Sequence, residues 1–234
     1  MRIVLINGTN NKGSTYRVAK MLADKVGSEL IEFFLPRDFD EFCLGCTTCF
    51  TKGENLCPHH SKIMKITNAL LEADLIILDS PVYCFHASGA MKTLLDHYGY
   101  MWMAHRPEEA MFKKQGVAIA TAAGAGIKST LRDMGDSLFY WGVGRTYRFG
   151  IPVAATSWEG INEKKLKKID KATSAIAKKI RKRNGKVKPS LKTKAFFFIM
   201  HLMQRNGWNK KDVDYWKAKG WTKKARPWKK NKLL

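Results

Sequence analysis

No stretch of this 234-residue chain reaches the roughly 18 uncharged apolar residues that a membrane-spanning helix needs. The best run, Ala195 to Met203, is nine residues long and contains His201, so a spanning chain is not expected. The start, MRIVLINGTN, lacks the basic n-region, long apolar core and small-residue cleavage site of a secretory leader, and a cytoplasmic protein is expected. Cysteine is sparse and odd in number. Of the five, four fall between Cys43 and Cys57, a crowding that in a reducing compartment points to metal or redox chemistry more than to disulfides. Acids are almost missing from one end: residues 164 to 234 carry 25 Lys/Arg against Asp170, Asp212 and Asp214. The first 163 residues hold 17 basic and 17 acidic side chains, so the whole net charge of +22 sits on the tail of a neutral body.

What is present is enough for one α/β domain with an appendage, since 45% of the residues are hydrophobic. Strand-like runs bounded by turn residues recur at 2–7, 29–35, 74–79, 116–120 and 146–151, with helical periodicity between them. The stretches IVLI, LIIL and VAIA are continuously apolar, as strands of a parallel sheet covered on both faces are. The alternation predicts a doubly wound, five-stranded parallel sheet over residues 1–185. Helices are expected from Ser14 or Thr15, from Ser61, over 88–98 and 128–141, and over 162–184. That last one presents Leu166, Ile169, Thr173, Ile176 and Ile180 on one face and lysines elsewhere. After Pro189 a basic, Trp-rich helical extension is expected over 186–234, with helices in AFFFIMHLM and near 210–219.

Three loops follow strands and carry ligand-binding chemistry. The first, Gly8 to Thr15, is neither Gly-x-Gly-x-x-Gly nor a Walker A loop. Its glycines, hydroxyls and amides run into a helix N-terminus, the parts of a cradle for a terminal phosphate. The second, Asp79 to Lys92, contains Pro81, which stiffens it, and Tyr83 and Phe85, which offer flat apolar surface to an aromatic ring. In strand order 2-1-3-4-5 the first and third strands flank the switch point, so these two loops meet at one crevice. The third, Thr121 to Gly126, is built of small residues that let backbone approach a ligand closely.

Together these loops resemble those of the NAD(P)H-dependent FMN reductases and iron-sulfur flavoproteins of the flavodoxin-like superfamily, over roughly residues 1–150. The chain keeps Gly8, Gly13 and Thr15 of that family's first loop and departs from it at Thr9, Asn10, Asn11 and Ser14. It keeps Ser80-Pro81-Val82-Tyr83 and Ser88-Gly89 followed by Lys92 in the second. The resemblance implies a flavodoxin-like fold and FMN, reduced by NAD(P)H. By it Thr9, Asn11, Gly13, Ser14 and Thr15 hold the phosphate, Pro81, Val82, Tyr83 and Cys84 the ring and ribityl side, and Thr121, Ala122, Gly124 and Gly126 the polar edge of the ring. The flavin carries the chemistry, and no side-chain catalyst is assigned. Cys84 reads as a packing residue. Cys43, Cys46, Cys49 and Cys57 are similar to the compact set of the iron-sulfur branch, and related reductases without a cluster keep the first three. Three readings stay open: a [4Fe-4S] cluster, unligated structural or redox thiols, and zinc bound with the help of His59 or His60. Pro58-His59-His60 stands where the family usually has an acidic pair.

The resemblance also implies a homodimer or higher homo-oligomer. The tail's Trp208, Trp216, Trp221 and Trp228 among lysines fit docking on the body, with Asp212 to Trp221 similar to the relatives' endings; an anionic membrane surface or nucleic acid is the alternative partner. The leading expectation is an oxidoreductase passing electrons from NAD(P)H through FMN to a flavin, quinone or other acceptor. The alternatives are an iron-sulfur flavoprotein, or a flavodoxin-type carrier without its own nicotinamide site.

Overall fold

The apolar runs form the middle of a parallel sheet in the computed structural model, which describes residues 1–27, 29–207 and 209–229. In chain order the strands are β1 (Arg2–Asn7), β2 (Glu29–Phe34), β3 (Leu75–Pro81), β4 (Gln115–Ala122) and β5 (Arg145–Pro152). They lie side by side as β2-β1-β3-β4-β5, every pair parallel, so the expected order holds. Parallel neighbours need long crossovers. These contain α1 (Ser14–Val26), the single turn α2 (Thr48–Thr51), α3 (His60–Glu72), α4 (Gly89–His97) and α5 (Ile127–Tyr140), with α6 (Glu163–Arg183) following β5.

Side chains alternate along each strand, and the two faces bury separate sets. Val4, Ile6, Ile76, Leu78, Ala118 and Ala120 pack with α3, α4 and α5. Ile3, Leu5, Leu75, Ile77, Val117 and Ile119 pack with α1 and α6. Each fully buried Val, Leu or Ile side chain contributes roughly 1.5–3 kcal/mol. The first and third strands are neighbours whose outgoing loops diverge to opposite faces, which opens a crevice at their carboxyl ends.

The extension forms α7 (Leu191–Arg205) and α8 (Lys210–Ala218). α7 starts four residues before the apolar run because the Ser190 hydroxyl accepts the Thr193 N–H at 3.0 Å, an N-cap. Trp216, Trp221, Phe197 and Met200 bury themselves against Met103 and Phe112 of the body, and Trp228 meets Phe112 at a tilt and Phe197 edge-on. Trp216 Nε1 donates to the His105 carbonyl at 2.6 Å and Tyr215 to that of Pro107 at 2.8 Å. Trp208 lies outside the described residues. Among the described residues no helix is long and apolar enough to cross a membrane.

Candidate functional site

β1 delivers the chain to the crevice through Gly8, whose N–H donates to the Asp79 carbonyl at 2.7 Å. A Cβ at Gly8 would stand 2.9 Å from both that carbonyl and Ser88 Oγ, so the close crossing of the first two loops requires glycine. Ser88 Oγ in turn donates to the Gly8 carbonyl at 2.5 Å while accepting the Met91 N–H at 3.1 Å, joining the first loop to the start of α4. The third loop is tied in by Thr15 and Thr121, whose hydroxyls meet at 2.6 Å.

These contacts enclose a cavity of about 350 Å³, within the size range of cofactor sites. Of the residues expected there, Thr9, Asn11, Gly13, Ser14, Thr15, Pro81, Val82, Tyr83, Thr121 and Ala122 line it. Gly13 at the N-cap of α1 offers no side chain, and the first turn has no acid. The helix therefore presents free N–H groups and its positive dipole end to the cavity. None of the lining side chains is charged. Tyr16, on the wall, has its hydroxyl pushed up to about 12 by burial and by the neighbouring Glu32, so it remains a neutral donor.

Cys84, Gly124 and Gly126 do not line the cavity. Tyr83 and His86 exchange two backbone hydrogen bonds of 2.9 Å, leaving Cys84 and Phe85 at the tip of a two-residue hairpin with φ of 48° and 65°. This turn favours Asn and Gly, and two non-glycine residues there cost of order 1–3 kcal/mol each. The turn is held from outside. Asp133 Oδ2 accepts from Ala87 N at 3.0 Å and bonds His86 Nδ1 at 3.0 Å, and Ser129 Oγ donates to the Phe85 carbonyl. Gly126, at φ 86°, has the same supporting part: a Cβ would come within 2.5 Å of Val82 Cγ1. Val153, Ala155 and Thr156 also line the cavity. They follow β5, in a segment whose composition carries no binding signature, so sequence reasoning passed over them.

Against known proteins, residues 1–152 match the family described as NADPH-dependent FMN reductase. The chain belongs to that family. It is an FMN-dependent oxidoreductase that takes electrons from NAD(P)H. A relative from Archaeoglobus fulgidus, an iron-sulfur flavoprotein, is 30% identical over 194 residues, covering 76% of this chain and 79% of the relative. An NADPH azoreductase of Bacillus sp. (strain OY1-2) is 31% identical over 127 residues, 54% of this chain and 61% of the azoreductase. The NAD(P)H:quinone oxidoreductase from Methanothermobacter marburgensis has the same fold, with a TM-score of 0.60 at 16% identity, over 75% of this chain and 96% of its own.

The residues present fit FMN in this reductase. An uncapped helix N-terminus, short hydroxyl and amide side chains and an uncharged wall suit a phosphate with an uncharged ring system beyond it.

A second cavity, of about 70 Å³, is lined by Cys43, Cys46, Cys49 and Cys57 together with His59 and His97. All five cysteines of the chain are free thiols. Burial, followed by the other three thiols of the cavity, pushes Cys49 up; hydrogen bonds from Thr48 bring Cys46 down. The loop is anchored by the buried Arg106, which donates through Nη2 to the Cys49 carbonyl and through Nη1 to Asp212 of α8. Asn209 Nδ2 adds a bond to the Phe50 carbonyl at 3.1 Å. His97 carries no signal in the sequence, since it comes from the far end of α4.

Proposed function

We propose that FMN lies in the 350 Å³ cavity with its phosphate at the N-terminus of α1 and its ring along Pro81, Val82 and Tyr83. Thr9, Asn11, Ser14 and Thr15 donate to the phosphate, Gly13 lets it approach the backbone, and Thr121 and Ala122 meet the polar edge of the ring. When bound, the flavin accepts hydride from the nicotinamide and passes electrons on to a small-molecule acceptor. The chain's own part is to orient and to shield. The strained 84–85 turn, fixed by Asp133, Ser129 and Gly126, keeps Tyr83 at the cavity wall. The helix dipole, with Lys12 beside it 5.5 Å from the Tyr16 ring, supplies the positive field at the phosphate end of an otherwise neutral wall.

The observation that carries this reading is the uncapped N-terminus of a 13-residue helix opening onto an uncharged cavity where three strand-end loops converge. Titration of flavin-free protein with FMN and with riboflavin tests it, following flavin fluorescence. FMN should bind tighter by at least about tenfold, and Thr15→Val should remove most of that preference, consistent with ~1.5–3 kcal/mol for a hydrogen bond to a charged group. Equal binding of the two flavins would put the phosphate elsewhere.

A second reading concerns where the enzyme works. α7 buries Phe197 and Met200 but exposes Leu191, Phe198, Ile199, Leu202 and Met203, which share its opposite face. An exposed apolar stripe on a helix within a strongly basic segment matches an anionic lipid surface. We propose that this face rests on such a membrane. A second copy of the chain is a poorer occupant, because it would bring a like charge of +22 to the same patch.

A further inference from the structure

His59 and His97 face one another across the mouth of the cysteine loop. Nδ1 of His59 and Nε2 of His97 stand 2.9 Å apart, and both lie with Cys57 Sγ inside a set of ligand atoms all within 4.8 Å of one another. The remaining nitrogen of each ring is already placed. His97 Nδ1 bonds the Thr93 carbonyl at 2.8 Å, one turn back on α4. His59 Nε2 stands 3.6 Å from the Glu41 carboxylate, which Lys62 holds from its other oxygen. The carbonyl bonded to His97 is the outer-shell arrangement that orients a metal-binding histidine, and Glu41 stands within ion-pair reach behind His59.

The spacing also suits a single small ion. With Zn–N of ~2.0–2.1 Å and Zn–S of ~2.3 Å, tetrahedral ligand atoms lie about 3.3–3.6 Å apart, so the two rings need to part by only a few tenths of an ångström. We propose that Cys57, His59 and His97 bind one zinc-class divalent ion, with a thiolate of Cys43, Cys46 or Cys49, which line the same cavity, completing the tetrahedron. Two imidazoles and thiolates are a borderline-soft donor set that selects such an ion. A four-thiolate iron-sulfur cluster would use Cys57 but neither imidazole, so the two metals are told apart by whether the histidines are needed. The ion joins the end of α4, the loop before α3 and the cysteine turn. A site with four protein ligands is structural.

The test uses the full-length, FMN-loaded protein, stripped with a chelator under reductant and titrated with Co²⁺ and then Zn²⁺. One Co²⁺ per chain is expected, with thiolate charge-transfer absorption and the strong visible bands of tetrahedral cobalt, and Zn²⁺ should displace it. Cys57→Ser and His97→Ala should each reduce the zinc retained after gel filtration by at least about tenfold, while His60→Ala should leave it unchanged. Glu41→Gln should weaken binding roughly 10–100-fold, the effect of losing an outer-shell partner. Retention of flavin by each variant reports folding independently of the metal. If His97→Ala fails to fold, His97→Gln, which can keep the bond to Thr93, replaces it with the same expected loss. Zinc content unchanged in the His97 variant would overturn the proposal. So would about four irons and matching sulfide per chain after anaerobic purification, retained in His97→Ala or His97→Gln.

Discussion

At the scale of single residues, Asp79 is the side chain most at odds with its surroundings. It is completely buried, Oδ2 has no partner among the described residues, and burial pushes its carboxyl well above the usual range. A folded-state pKa above the unfolded value, near ~3.9, means that the folded protein holds a proton the unfolded chain releases. Stability is therefore lost as pH rises through the interval between the two values and stays lost above it. Asp79→Asn removes this penalty and keeps the shape. Its urea midpoint should exceed the wild-type one at pH 7.5, and the gap should narrow towards pH 4. A gap of the same size at both pH values would show that the carboxyl is not the cause. Tyr16 and Gly8 show how residue identity alone is legible or not. The close crossing at Gly8 follows from a glycine after a strand. Nothing local to Tyr16 says that it faces the cavity, because that depends on the roll of α1 against the sheet.

At the scale of elements, the extension and the cysteine loop form one unit with the body. Arg106 and Asp212 are 4% and 1% exposed, with His105 Nδ1 completing the carboxylate's partners at 2.8 Å. A buried pair is no guide to net stability, but removing one partner strands the other charge, at about 3–5 kcal/mol. Asp212→Ala should cost about that much in denaturant unfolding, and limited proteolysis should cut near 43–57 as well as in the extension, since Arg106 is also the anchor of the Cys49 carbonyl. A loss below about 1 kcal/mol, with the cysteine loop still protected, would contradict the role assigned to Arg106. The helices themselves were readable from periodicity, as α6 and α7 illustrate. The single turn α2 was not, because four residues carry no period and its place depends on Arg106 and Asn209 reaching in from elsewhere.

At the scale of the whole molecule, charge is segregated. A neutral α/β body carries a tail segment holding the entire +22, and the apolar outer face of α7 lies within it. Basic residues near an anionic surface are worth ~1 kcal/mol each and are screened by salt, while the apolar face contributes without such screening. The protein should sediment with phosphatidylserine-containing vesicles and not with phosphatidylcholine alone. Half-molar salt should weaken the binding, and Phe198→Glu with Leu202→Glu should abolish it without changing flavin content. If the double variant instead dissociates a dimer, and vesicles bind neither protein, a second copy covers this face.

The apolar runs and their spacing were enough to determine a parallel, doubly wound sheet and the three loops that follow its strands, while the strand order came from the resemblance of those loops to the FMN reductase family. Strand period and crossover chemistry are local properties, and they place those loops wherever else the chain goes. The one-sided charge was equally readable. Which side chains meet across long sequence separations was decided only by the tertiary structure. His97 reaches Cys57 and His59 because α4 packs beside the cysteine loop, Arg106 reaches Asp212 because the extension folds back, and Val153 to Thr156 close the cavity because β5 lies next to β4. Each of these depends on the packing of two faces whose contacts no single segment encodes.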